Sequence, residues 1–139
     1  MNKKIIMSFL VLLTLVIGIS TVSAGLFDSV TENSDLNVTD LEVSSQGYST
    51  YEITCKLTPK KSFDYLEMYA VFYDSDGAVI EKSPLVWNTN NPAENQLIEV
   101  TGTAYVNSNE KPVRAEIFIS DSAFNNQIED AIFAQNVTM

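Results

Sequence analysis

Tyrosines at positions 65, 69 and 73 are the side chains whose spacing most suggests a binding function. In an extended strand, alternate residues lie on the same face, so Tyr65, Tyr69 and Tyr73 would form one aromatic strip. An exposed strip of this kind, with Trp87 nearby, could stack on sugars or anchor a protein partner. The commoner alternative is cross-strand packing under an internal cover, for which residues 84–95 are the expected segment.

Paired carboxylates are the remaining residues that offer generic acid–base chemistry. The candidate pairs are Asp74 with Asp76, and Glu129 with Asp130. The chain has no histidine and one cysteine, which excludes the usual serine and cysteine triads and most zinc and copper sites. Adjacent acids are ordinary on a protein surface. We therefore expect no enzymatic activity, and a small carboxylate-based hydrolase is the least favoured alternative.

The segment Asp74-Ser75-Asp76-Gly77 resembles the start of a calcium-binding loop. An EF-hand loop requires a glutamate at its twelfth position, which is Leu85 in this chain. Aspartate and glycine also tolerate the backbone geometry of a tight hairpin. The segment therefore predicts a turn, and we expect neither a metal site nor a cofactor.

Cys55 lies in a segment in which apolar and polar residues alternate, residues 51–57. It falls on the apolar side with Ile53 and Leu57, which predicts a buried thiol. A single cysteine cannot form an internal disulfide. The domain must therefore be stabilised by its core.

The N-terminus has the three parts of a secretory signal. Lys3 and Lys4 precede an uncharged apolar run over residues 5–19, and Val22-Ser23-Ala24 supplies small residues before a cleavage point. We predict a signal peptide at residues 1–24, a flexible leader at 25–36, and a secreted or cell-envelope protein. The alternative is an uncleaved membrane anchor, because residues 5–22 nearly reach the length of a membrane span.

The acidic composition restricts the class of partner. The formal net charge is −10, and the signal segment carries two of the eight basic residues and none of the acids. Such a surface repels nucleic-acid phosphates and anionic lipids. We therefore expect no nucleic-acid partner, and membrane association only if the signal segment is retained.

Period-2 patterns dominate the rest of the chain, and turn residues separate them. They predict strands at residues 37–45, 48–58, 64–74, 78–82, 84–87, 96–106, 113–120 and 131–139. No long amphipathic helix separates these segments. The pattern predicts an all-β fold, an antiparallel immunoglobulin-like sandwich of about seven strands over residues 37–139, preceded by the N-terminal signal helix.

Residues 69–80, with the sequence YAVFYDSDGAVI, resemble the central hairpin of FxLYD-type domains. The likeness lies in an alternating apolar strand, the run Phe72-Tyr73-Asp74, and an Asp76-Gly77 turn. The family signature is Phe-x-Leu-Tyr-Asp, and at the corresponding positions this chain has Ala70-Val71-Phe72-Tyr73-Asp74. The resemblance implies an immunoglobulin-like module of a secreted bacterial or archaeal protein, without catalytic residues.

The sequence therefore favours a non-catalytic protein-interaction module. The alternative is a carbohydrate-binding module that uses the aromatic strip of Tyr65, Tyr69, Tyr73 and Trp87. In either case we expect the partner to be a protein or a glycan at the cell surface. Two possible N-glycosylation sequons begin at Asn37 and Asn136.

Overall fold

The computed structural model describes residues 35–139. The predicted signal segment, and the leader up to residue 34, lie outside the described residues. The described chain forms seven strands and one short 3₁₀ helix between β6 and β7. In chain order these are β1 (Leu36–Gly47), β2 (Thr50–Pro59), β3 (Tyr65–Tyr73), β4 (Val79–Asn90), β5 (Ile98–Tyr105), β6 (Arg114–Ser120), the 3₁₀ helix (Ile128–Asp130) and β7 (Phe133–Thr138).

The strands form two antiparallel sheets. The first has three strands in the order β1-β2-β5, and the second has four in the order β4-β3-β6-β7. Each antiparallel pair alternates its side chains between the two faces, so each sheet has one face available for a shared core. The predicted all-β class and the number of strands are confirmed.

The core lies between the two sheets and contains the residues that the alternating pattern placed inward. On β2 these are Tyr51, Ile53, Cys55 and Leu57, on β3 Leu66, Met68, Ala70 and Phe72, and on β6 Ala115, Ile117 and Ile119. Burial raises the pKa of the Cys55 thiol to about 12. The thiol is therefore neutral at physiological pH, as expected of a structural cysteine.

The fourth strand differs from its prediction. We expected strands at 78–82 and 84–87 and a loop at 88–95, but β4 runs continuously to Asn90. A bulge joins its two halves, because Met68 pairs with Trp87 while Ala70 pairs with Ser83. Pro84 has no backbone N–H to donate, so the ladder is interrupted there and resumes beyond the proline.

Two smaller expectations at strand ends were also wrong. In the predicted strand 113–120, alternation with the inward-facing Ala115 would place Val113 in the core, but Val113 is 39% exposed because β6 begins only at Arg114. Leu36, expected in the leader, is the first residue of β1 and is 2% exposed. Its partner in the ladder is Pro59, so β1 extends to the end of β2.

The turn between β3 and β4 has the predicted form. One carboxylate oxygen of Asp74, Oδ1, accepts hydrogen bonds from the backbone N–H groups of Asp76 and Ala78, at 2.9 and 2.8 Å. Gly77 has a φ of 83°, a value that glycine adopts without a steric cost. Across residues 35–139, no group of three or more histidines, cysteines and acids is placed to hold a metal ion. The same residues contain no helix long and apolar enough to cross a bilayer.

Gly102 on β5 provides a test of how closely the two sheets pack. A Cβ added to Gly102 would lie 2.4 Å from Cγ1 of Val86 and 2.9 Å from its carbonyl oxygen. The side chain of Val86 can rotate, but the backbone oxygen cannot move without shifting β4. We therefore expect Gly102→Ala to lower the free energy of unfolding by about 1–3 kcal/mol, the usual cost of overpacking.

Denaturant unfolding measures this cost. The control is Thr103→Ala, at a neighbouring exposed position of the same strand, which should change stability by less than about 0.5 kcal/mol. Equal effects of the two substitutions would contradict the close contact between β4 and β5.

Candidate functional site

The tyrosines lie on the outer face of the four-stranded sheet, the face directed away from the core. Tyr65, Glu67, Tyr69, Val71 and Tyr73 alternate with the inward residues of β3. In the ladder, Tyr69 is opposite Phe118 of β6, and their rings stack with centroids 5.3 Å apart. Tyr69 is 7% exposed, whereas Tyr65 and Tyr73 are half-buried. The predicted strip is therefore covered at its centre.

The cover is the β6–β7 loop, residues 121–132. Ile128 and Ala131 of this loop pack against Tyr69, Val71 and Phe118. The expectation that residues 84–95 would cover the strip was wrong. Trp87, in that segment, is paired with the inward-facing Met68 and packs against the main core. The structure therefore separates Trp87 from the three tyrosines.

Glu67 ties the β6–β7 loop to the sheet. Its side chain is fully buried, and Oε1 accepts hydrogen bonds from the Tyr69 hydroxyl at 2.7 Å and from the Asn125 backbone N–H at 2.9 Å. Oε2 is buried and has no hydrogen-bond partner among residues 35–139. Burying a carboxylate costs several kcal/mol unless hydrogen bonds offset the lost hydration. Two hydrogen bonds offset this cost for Glu67, and the loop supplies one of them, from the Asn125 backbone N–H.

Glu67 also affects the two nearest tyrosines. Burial, and then the interaction with Glu67, raises the pKa of Tyr69. The same two causes, in the same order, raise the pKa of Tyr65. Both phenols therefore stay protonated at physiological pH, and the Tyr69 hydroxyl remains a donor to the carboxylate.

Tyr73, at the far end of the strip, belongs to a separate polar group. Its hydroxyl donates to Oε2 of Glu116 at 2.7 Å, and the Arg114 guanidinium lies 3.6 Å from the ring centroid. Burial first, and then Glu116, raises the pKa of Tyr73 to about 12. Because the Arg114 guanidinium lies so close to the ring centroid, it covers one face of the Tyr73 ring.

The two predicted glycosylation sites have different surroundings. Asn37 lies on β1 and is exposed. Asn136 is half-buried on β7, and its side-chain oxygen accepts a hydrogen bond from Nη1 of Arg114. A glycan on Asn136 would therefore have to be accommodated beside this hydrogen bond.

A cleft of about 350 Å³ opens on the outer face between β4 and the β6–β7 loop. Its apolar floor contains Tyr69, Val71 and Phe118. Lys82, Ser83 and Pro84 form the β4 side. The loop side is formed by Asn126, Gln127, Ile128 and Glu129. Of the predicted site residues, Tyr69 belongs to this cleft, whereas Tyr65, Tyr73 and Trp87 do not line it.

The two carboxylate pairs lie apart from each other. Asp74 and Asp76 form the β3–β4 turn, where Asp74 is used to bond the backbone. Glu129 and Asp130 are exposed in the 3₁₀ helix, and Glu129 lines the cleft. The structure places neither pair in a buried environment.

Phe124 was missed by the sequence reasoning. It lies in the β6–β7 loop and is 89% exposed, with a φ of 62°. The Asn125 backbone N–H points both to Glu67 and to the carbonyl of Ser122, at 3.3 Å, so Phe124 occupies the third position of a tight turn. A positive φ at this position normally requires glycine or asparagine. The only sequence signal was an isolated aromatic residue within a polar stretch.

Comparisons with known proteins show partial likenesses. No protein-family model matches the chain, and no curated protein matches its sequence. Among solved structures, a DUF1425 family member from Shewanella sp. pv-4 is 20% identical, with 66% of this chain and 82% of that one covered and a TM-score of 0.44. A GH3 beta-glucosidase from Bifidobacterium adolescentis is 12% identical, with a TM-score of 0.44. Beta-glucosidase 3B from Thermotoga neapolitana is also 12% identical, with a TM-score of 0.42.

The match to the beta-glucosidases is limited in extent. It covers 77% and 76% of this chain, but only 17% and 16% of the two enzymes. At these scores and identities the likeness carries no inference about activity. The resemblance to FxLYD-type domains remains a prediction.

Tyr69→Phe tests whether Glu67 depends on its hydrogen bonds. This substitution removes one of the two donors to Oε1 and leaves the ring in place. We expect it to lower the free energy of unfolding by about 1.5–3 kcal/mol, the range for a hydrogen bond to a charged group. Chemical denaturation at pH 7 measures the change.

Tyr105→Phe is the matched control, because Tyr105 is 61% exposed on β5. It should change stability by less than about 0.5 kcal/mol. If Tyr69→Phe is equally harmless, the buried carboxylate does not depend on the Tyr69 hydroxyl.

Proposed function

We propose that this chain is a secreted or cell-envelope, immunoglobulin-like domain of the FxLYD type that acts as a non-catalytic protein-interaction module. The strand order supports the immunoglobulin-like class. With the strands lettered A, B, C, C′, E, F and G in chain order, the sheets are A-B-E and C′-C-F-G. An immunoglobulin-type sandwich likewise has C, F and G in one sheet and A, B and E in the other.

The exposed Phe124 carries the functional part of the proposal. A non-glycine residue at positive φ costs roughly 1–2 kcal/mol. An exposed phenylalanine also lacks the stabilisation that burial of its ring would give, about 25 cal/mol for each Å² of apolar surface removed from water. Glu67 holds the adjacent Asn125 in place, so Phe124 is presented on an anchored loop. A rigid exposed aromatic residue is the typical anchor of a protein interface.

Tyr48 shows why exposure alone does not make an anchor. Like Phe124, Tyr48 is exposed and has a positive φ, which is 50° in this case. It lies, however, in the two-residue turn between β1 and β2, and such hairpins require positive φ at their central positions. The conformation of Tyr48 follows from the hairpin itself, and the turn is joined to the sheet by a backbone bond from the Val106 N–H to the Ser49 carbonyl, at 2.9 Å. Tyr48 is therefore a suitable control.

The charge of the β6–β7 loop indicates the chemistry of the partner. The loop contains three acids, Asp121, Glu129 and Asp130, and no lysine or arginine. A partner surface with an apolar pocket for Phe124 and basic residues around it would be complementary. A protein surface supplies both features.

Carbohydrate binding through the tyrosines receives less support. Stacking on a sugar requires open ring faces, but Tyr69 is buried and Arg114 lies over Tyr73. Catalysis also receives less support, because the Asp74 carboxylate accepts hydrogen bonds from the turn backbone, at Asp76 and Ala78. We therefore favour the protein-interaction module over both alternatives.

A paired capture experiment tests the role of Phe124. The exported protein, Phe124→Ser and Tyr48→Ser would each be immobilised and exposed to the native extracellular fraction, and bound proteins and glycans identified. We expect a protein that binds the wild type and Tyr48→Ser but is recovered at least tenfold less with Phe124→Ser. Circular dichroism would verify that all three are folded.

Two results would contradict the proposal. One is recovery of the same proteins by all three chains, which would exclude Phe124 as the anchor. The other is capture of glycans alone, which would favour the carbohydrate-binding alternative.

A further inference from the structure

The cleft beside the β6–β7 loop has the dimensions of a small-ligand site. Its volume of about 350 Å³ lies at the lower end of the range for ligand pockets, about 300–1,000 Å³. Tyr69, Val71 and Phe118 form an apolar floor, and each is less than 10% exposed. A floor of packed side chains is rigid, so the cleft is preformed. It suits a ligand with one apolar group of modest size.

Two opposite charges line the cleft from different elements. Lys82 is on β4 and Glu129 is in the 3₁₀ helix. Neither forms an ion pair with any of residues 35–139, in which Lys56 pairs with Asp40 and Lys61 with Asp35. Gln127 and Asn126, beside Glu129, add amide donors and acceptors. One cation and one anion are thus free to bind complementary groups on a single ligand.

From these features we propose that the cleft binds a small zwitterion with an apolar side chain, such as an apolar α-amino acid or a dipeptide. The ligand carboxylate bonds to Lys82 and its ammonium group to Glu129, while the apolar side chain lies on Tyr69 and Val71. A zwitterion has no net charge, so the acidic surface of the chain does not repel it. Glu129 belongs both to the acidic surface of the loop and to this cleft, but ligand binding in the cleft does not use Phe124.

Isothermal titration of the exported protein with a matched set of probes tests this assignment. The probes are L-leucine, N-acetyl-L-leucine, which lacks the ammonium group, L-leucinamide, which lacks the carboxylate, glycine, which lacks the side chain, and Leu-Leu dipeptide. We expect L-leucine or the dipeptide to bind at least tenfold more tightly than the other three. Whichever of these two probes binds more tightly shows whether the cleft prefers a free amino acid or a short peptide.

Two variants assign the charged groups. In Lys82→Gln, L-leucine should no longer bind more tightly than L-leucinamide, because the partner of the carboxylate is gone. In Glu129→Gln, L-leucine should no longer bind more tightly than N-acetyl-L-leucine, because the partner of the ammonium group is gone. Lys56→Gln and Glu99→Gln, on the outer face of the other sheet, are the controls and should leave every affinity unchanged. Both cleft residues are exposed, so we expect the variants to fold.

The proposal is overturned if no probe binds, if the blocked analogues bind as well as leucine, or if Lys82→Gln and Glu129→Gln retain the wild-type preferences. Phe124→Ser should leave leucine affinity unchanged. Loss of the protein partner in that variant with retention of leucine binding would separate the two sites.

Discussion

The carboxylate of Glu67 lies inside the protein, and the arrangement of the outer face depends on what satisfies it. A buried charge without partners would cost more than a small domain of this size can tolerate. Tyr69 supplies one hydrogen bond from the same strand, and the backbone of Asn125 supplies another from a segment 58 residues later. The second bond requires the β6–β7 loop to lie against the sheet. The other features of this face follow from that requirement.

Once the loop is in place, it divides the outer face into three parts. Under the loop, Tyr69 and Phe118 form a small second core that is separate from the main one. Beside it, between β4 and the loop, the cleft remains open. Above it, Phe124 extends into solvent from a turn whose next residue is bonded to Glu67. One buried side chain thus supports both of the surfaces to which we assign binding.

Alternation along the strands predicted the inner faces because burial on one side of a sheet imposes period 2. Ile53, Cys55 and Leu57 were placed correctly by this rule, as were Leu66 and Phe72. The rule fails where the ladder is irregular. The bulge at Pro84 changes the register of β4, so Trp87 faces the core and not the tyrosines.

The outer face was harder to predict, for a different physical reason. A glutamate at an outward position of a strand normally indicates solvent, and Glu67 follows the pattern of an exposed residue. Its burial depends on a loop with no periodic pattern and on a bond to a backbone N–H, which leaves no trace in residue type. Phe124 is likewise unremarkable by sequence, because its positive φ becomes visible only in the folded loop.

Amide hydrogen exchange at Asn125 tests the central role of Glu67 most directly. The measurement would be made by NMR on the wild-type protein and on Glu67→Leu, which removes the acceptor and leaves an apolar side chain of similar size. If Glu67 anchors the loop, the Asn125 amide is protected in the wild type and loses most of its protection in Glu67→Leu, while the amide of Ile117 in the core ladder stays protected. Exchange of Asn125 in the wild type at the rate of an unstructured peptide, or unchanged protection in Glu67→Leu, would contradict the account.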